Sequence, residues 1–137
     1  MLTVQQVTVH QVKDILDSKY DVTVDEDGDL VVTKGKFEFF VSIIAKSKLI
    51  RCHAGWKKPD ELSFPQLLLL ANQFNFDKHF LRVYIDPQTG GIRTDYYMLY
   101  AGGLLEDNLL DAVDWFCDVT QAWVKKVLAE IDEGDAE

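Results

Sequence analysis

A chain of 137 residues, 47% hydrophobic and 12% aromatic, fits one domain that buries roughly two-thirds of its unfolded surface without disulfides or metals. Its formal net charge of −9 argues against nonspecific nucleic-acid binding, and no apolar run approaches the ~18 residues of a membrane span. The opening Met1-Leu2-Thr3-Val4-Gln5-Gln6 has neither a basic region nor an apolar signal core, so the expected compartment is the cytoplasm. One domain is expected over residues 1–137, with 1–7 and 132–137 as frayed termini.

Thr8-Val9-His10-Gln11 has the spacing in which each side chain caps the other's backbone N–H at a helix start. It predicts a short amphipathic helix over about 9–19, with Val9, Val12, Leu16 and marginally Ile15 on one face. A rival start at Thr3, paired with Gln6, is disfavoured by the β-branched run Val7-Thr8-Val9. Asp21 to Asp25 alternates as a strand, Asp27-Gly28 supplies the positive φ of a hairpin, and Asp29 to Thr33 returns. Phe37 to Ala45 is the strongest strand pattern. Lys46-Ser47 then turns into Lys48 to Ala54, Gly55 ends that strand, and Trp56-Lys57-Lys58-Pro59 links onward.

Ser63 and Gln66 form a second capping pair before a helix of about 64–76, with Pro65 tolerated in the first turn. Phe80 to Asp86 and Ile92 to Ala101 read as two strands around the loop Pro87 to Gly91. The last helix, about Asp107 to Ile131, would be roughly 37 Å long. Its two apolar stripes, Leu110-Val113-Cys117-Thr120-Val124-Val127-Ile131 and Leu109-Ala112-Phe116-Val119-Trp123, cover more than half its circumference. That is wider than a one-sided surface helix needs, and it predicts a homodimer. The fold class is therefore α+β: an antiparallel sheet of five to six strands with helices mainly on one face, in the order α-βββ(β)-α-ββ-α.

Charge is unevenly distributed. Lys34 to Lys58 carries seven basic residues against Glu38. Asp14 to Asp29 carries seven acids against Lys19, and Glu106 to Glu137 ten acids against Lys125 and Lys126. Either these segments flank and neutralise one another, or the basic strip attracts an acidic partner.

The chemistry-bearing residues do not assemble into a site. His10, His53 and His79 fall on a helix, a strand and a loop, none at ligand spacing from a cysteine or another histidine, so no zinc is expected. Cys52 and Cys117 read as buried small hydrophobes. Asp25, Asp27 and Asp29 begin like a calcium loop but lack its glycine, and Lys36 stands at its twelfth position. There is no P-loop, G-x-G-x-x-G or G-x-S-x-G, so no catalytic residue and no cofactor is assigned.

Several segments together resemble the bacterial YbjN family. They are Tyr20-Asp21-Val22-Thr23-Val24 leading into Asp27-Gly28-Asp29-Leu30-Val31-Val32, Leu67 to Asn72 with Asn75-Phe76, and Ala101-Gly102-Gly103-Leu104. The order of elements is also similar to that of the type III secretion chaperones. The resemblance spans about residues 8–125 and implies an α-β-β-β-α-β-β-α domain, often dimeric, that acts through protein contacts and brings no catalytic residues. The loop Asp86 to Gly91 and the strand Tyr96-Tyr97-Met98-Leu99-Tyr100 depart from it.

The resulting expectation is a non-catalytic protein-binding module, a chaperone-like adaptor or regulator, whose partner is another protein or an extended client segment. The alternatives are a self-associating dimer of unknown role and an enzyme with an unrecognised site. If helices cover one sheet face, the other should be polar at alternate positions. In Phe37 to Ala45 that face holds Glu38, Phe40, Ser42 and Ile44, and in Phe80 to Asp86 it holds Phe80, Arg82 and Tyr84. Aromatic residues and arginine are enriched in interface cores. Phe40, Ile44, Arg82 and Tyr84, with Trp56 at the margin, are the candidate partner-binding residues, with Lys36, Lys46, Lys48 and Arg51 as a basic rim. The competing expectation is that a loop or the N-terminal segment folds over this face.

Overall fold

Thr8 opens the first helix, α1 (Val9–Asp17), with its hydroxyl accepting the Gln11 backbone N–H at 3.2 Å. The computed structural model describes residues 1–78 and 80–135; His79, Ala136 and Glu137 lie outside the described residues. α1 buries Val12 and Leu16, the 3.6-residue stripe its sequence spells out. Four strands follow: β1 (Asp21–Val24), β2 (Leu30–Lys34), β3 (Phe37–Ile44) and β4 (Leu49–Trp56). Gly28 has φ +83°, as the Asp27-Gly28 turn requires, and the Asp25 carboxylate accepts the backbone N–H groups of Asp27 and Asp29, each at 2.9 Å.

Ser63 and Gln66 cap α2 (Phe64–Asp77) reciprocally, at 3.2 and 2.7 Å. β5 (Arg82–Ile85), β6 (Ile92–Leu99) and α3 (Glu106–Asp135) complete the order. All pairings are antiparallel, in the spatial order β1-β2-β3-β4-β6-β5. After α2 the chain lays β5 at the sheet edge, and the β5–β6 hairpin places β6 against β4.

Three helices pack on one face. Phe39, fully buried, meets Tyr20, Phe37 and Phe116, and Phe74 meets Trp123 edge-on at 5.3 Å. Fully burying a phenylalanine of this kind contributes roughly 1.5–3 kcal/mol. Leu109, Val113, Phe116, Cys117, Thr120, Trp123 and Val127 of α3 are all buried. Most of the wide apolar surface of α3 is thus consumed within the chain, which removes the argument for a dimer that its circumference suggested.

The N-terminal segment, expected to fray over residues 1–7, is tied into the fold. Leu2 pairs with Leu104 through two 2.8 Å backbone hydrogen bonds, Leu2 and Val7 are buried, and Val4–Gln6 forms a 3-10 turn in which the Thr3 N–H donates to the Gln6 side chain. The apolar side chains of Leu2 and Val7 offset the ordering of this segment. At the other end α3 continues through Asp135, and the remainder of the stretch 132–137, Ala136 and Glu137, lies outside the described residues.

The charged segments partly neutralise one another. Lys19 pairs with Asp114, and Lys34 lies 3.9 Å from Asp118, so the acidic α3 meets the basic residues flanking it. Lys46 and Lys48 sit in and beside the β3–β4 turn, outside these pairs.

Candidate functional site

Because side chains alternate along a strand, register decides which residues share the uncovered sheet face. One row crosses all six strands: Thr23, Val31, Phe40, His53, Asp95 and Arg82. Beside it runs Ser42, Arg51 and Tyr97, and at the far end Ile44, Leu49 and Leu99. Among the described residues no helix lies over this face, and the N-terminal segment pairs with Leu104 and does not fold across it. The turn Asp25 to Asp29 comes against it, lining a concavity with Phe40 and His53.

Asp95 organises the centre. Its carboxylate is 1% exposed, and Arg82 binds it through two hydrogen bonds of 2.9 and 2.7 Å. Arg51 approaches the same carboxylate at 3.4 Å and the Tyr84 hydroxyl at 3.5 Å. The Arg82 guanidinium lies over the Tyr84 ring at 4.5 Å, and that of Arg51 over the Tyr97 ring at 5.8 Å. The hydrogen bond to Asp95 raises the Arg82 pKa further above its ordinary value. One buried carboxylate therefore pins two arginines and two tyrosines into a fixed array, while the Arg82 side chain stays 59% exposed and Tyr97 41%. Such a surface has already lost much of the side-chain entropy that binding would otherwise take away.

Toward β3, Phe40 stacks on His53 at 5.4 Å, and the His53 Nε2 lies 2.9 Å from the Ser42 hydroxyl. Burial and then the Arg51 charge lower the His53 pKa, so the ring is neutral at pH 7. At the far end Leu99 is 73% exposed beside half-buried Ile44 and Leu49. Burial pushes the Cys52 thiol on the opposite face up to about 12, and that thiol is no nucleophile at pH 7. Among the described residues no cluster of acids, histidines and cysteines fits a metal ion, and no helix is long and apolar enough to cross a membrane.

Four of the five expected residues, Phe40, Ile44, Arg82 and Tyr84, lie on this face. Arg82 and Tyr84 touch each other, Phe40 is joined to them only through His53 and Asp95 in the row, and Ile44 stands apart at the apolar end. Trp56 is a correction. β4 runs on through Trp56, whose parity with Cys52 and Ala54 turns it to the helix side, where it stacks on Phe37 at 6.3 Å. Asp95, His53 and Tyr97 were missed by sequence reasoning. The signal was a polar or aromatic residue at every second position of β6, Arg93-Asp95-Tyr97, opposite Arg51 and His53 of β4.

A second exposed surface lies on α2. From Phe64 to Phe76 this helix has no charged residue, and Leu68, Leu69 and Phe76 are 44%, 59% and 88% exposed. Large apolar side chains this exposed, set among the uncharged Gln66, Asn72 and Gln73, mark a surface suited to contact.

The profile of the YbjN family, described as “Putative bacterial sensory transduction regulator”, matches residues 6–129. The crystal structure of YbjN from E. coli, “a putative transcription regulator”, superposes with a TM-score of 0.79 at 12% identity, covering 95% of this chain and 96% of that one. A chain of the HopA1–SchA chaperone–effector complex gives 0.61 at 11% identity over 88% and 92%. A chain of the ExsC–ExsE complex gives 0.62 at 17% over 84% and 92%. No curated protein matches the sequence. At these identities the structural likeness is one of fold.

Proposed function

The chain belongs to the YbjN family, and from that premise we propose that it is a cytoplasmic, non-catalytic protein-binding module that engages another protein, or an extended client segment, through its open sheet face. The array pinned by Asp95 carries this reading. Exposed Arg82 and Tyr97 and half-buried Tyr84 and Arg51 offer aromatic and guanidinium surface in a fixed geometry, flanked by Phe40 on one side and Ile44 and Leu99 on the other. That is the composition of an interface core, and Lys46 and Lys48 beside its apolar end favour fast association with an acidic partner there. The HopA1–SchA neighbour, a chaperone–effector complex on the same fold, supports a protein as the partner.

The uncharged outer face of α2 favours a second contact, a homodimer through Leu68, Leu69 and Phe76. This leaves the open sheet face of each subunit free for a client.

Native lysate passed over immobilised wild-type protein and over the Phe40→Asp, Tyr84→Ala double variant tests the main reading. Partners retained by the wild type and lost from a double variant with an unchanged melting temperature support it. A double variant that unfolds shows the face to be ordinary core, and one that retains the same partners removes the face from their recognition.

A further inference from the structure

The turn between β1 and β2 and the open face enclose a concavity of about 320 Å³, within the range of small-ligand sites. Its rim is acidic, from Asp27 and Asp29, and its floor carries Arg51, His53 and Arg93 beside the Phe40 ring. These opposite charges face one another without pairing: among the described residues no carboxylate of the turn lies within 4.0 Å of either guanidinium. Asp25 is already engaged by the backbone N–H groups of its own turn, whereas the Asp27 and Asp29 carboxylates accept no hydrogen bond from a described residue.

The two cations keep hydrogen-bonding capacity in reserve. Among the described residues Arg93 makes one hydrogen bond, a 3.5 Å contact to the Ile92 carbonyl, and its charge also acts through space on the Asp86 carboxylate. Its guanidinium lies over β4 at Gly55, where any Cβ would stand 2.6 Å from it. Arg51 Nε is buried with no acceptor among the described residues, while its Nη2 reaches Asp95 at 3.4 Å and the Tyr84 hydroxyl at 3.5 Å. A buried donor left unmet is a cost that an incoming acceptor relieves by drawing the guanidinium toward it. Arginine is suited to this, since its planar fork matches a carboxylate.

We propose that this concavity is a receptor for a basic α-amino acid, free or as the C-terminal residue of a peptide. The carboxylate lies against Arg51 and Arg93, the cationic side chain against Asp27 and Asp29, and the aliphatic stem on the Phe40 ring. A simple anion would be repelled by the rim and a simple cation by the floor, so the site selects a molecule carrying both charges. His53, whose ring is neutral because burial and Arg51 disfavour its protonation, adds no competing charge to the floor. This goes beyond the protein-binding reading and shares Phe40 and Arg51 with the surface that reading uses.

The test is an NMR titration of the full chain with L-arginine. Saturable shifts are expected at the amides of Asp27, Asp29, His53 and Arg93. Agmatine, which lacks the carboxylate, should bind at least about tenfold more weakly. Gly-Gly-Arg with a free C-terminus should bind and its amide should not, and the ratio of Gly-Gly-Arg to arginine affinity tells a peptide end from a free amino acid. Arg93→Gln, and separately Asp27→Asn with Asp29→Asn, should each weaken arginine by about tenfold while the spectrum stays dispersed. The absence of saturable shifts up to about 50 mM, weaker than any affinity of a built site, would overturn the proposal. So would agmatine binding as tightly as arginine, or both variants binding like the wild type.

Discussion

Asn75 on α2 is predicted to hold the edge of the sheet closed. Its side-chain amide accepts the Val83 N–H at 2.8 Å and donates to the Val83 carbonyl at 2.7 Å, as a neighbouring strand would. β5 is the last strand of the sheet and Val83 is 2% exposed, so these backbone groups have no alternative partner in the fold. Asn75→Ala removes two hydrogen bonds worth about 1 kcal/mol each and leaves two buried polar groups unmet, for a total loss of about 3 kcal/mol. At this chain length that corresponds to a fall of roughly 10 °C in melting temperature, followed by far-UV circular dichroism. Asn75→Asp should also destabilise at pH 7, because the carboxylate can accept from the Val83 N–H but cannot donate to its carbonyl. A shift of less than about 2 °C for Asn75→Ala would refute the reasoning, since it would mean that water satisfies this edge equally well.

Gly28→Val should cost about 1 kcal/mol or more, while Gly28→Asn should cost less. A Cβ at Gly28 meets nothing within 4 Å, so the loss comes only from φ +83° and melting temperatures of the two variants separate it from a clash. The folded His53 pKa lies below the unfolded one, so the stabilisation it brings is present above the unfolded value and lost as pH falls through the folded one. The wild type should therefore lose more stability than His53→Gln between about pH 7 and pH 5, as read by urea denaturation. Light scattering at tens of micromolar should give the mass of a dimer. Leu69→Lys with Phe76→Lys should give a folded monomer, and a wild-type monomer would remove the α2 interface.

The element order was legible because each boundary had a local chemical cause: the Thr8 and Ser63 caps, the Asp27-Gly28 turn, and the alternation of Phe37 to Ile44. The alternation also placed Phe40, Ile44, Arg82 and Tyr84 on one face, because parity within a strand needs no knowledge of its neighbours. What depends on pairing was hidden. Nothing local says that β6 inserts between β4 and β5, so the meeting of Arg51, Asp95 and Arg82 could not be seen before the sheet order was known. Trp56 was misplaced because Gly55 resembles a strand end. It is a strand residue, tolerated where the Arg93 side chain fills the space above it. Leu2 looked free because its partner, Leu104, lies a hundred residues away in sequence. The excess apolar surface of α3 was real in sequence, but a sheet with two further helices absorbs most of it, and α2 presents the exposed apolar face instead.

Site-specific photo-crosslinking in the native cell tests the open face most directly. A photoreactive side chain is placed at Tyr84 in one variant and at Asp118, an exposed position on the opposite, helical side, in another. The account predicts a discrete adduct with a second protein from position 84, abolished by Phe40→Asp, and none from position 118. Adducts from position 118 alone, or equal adducts from both positions, would contradict it.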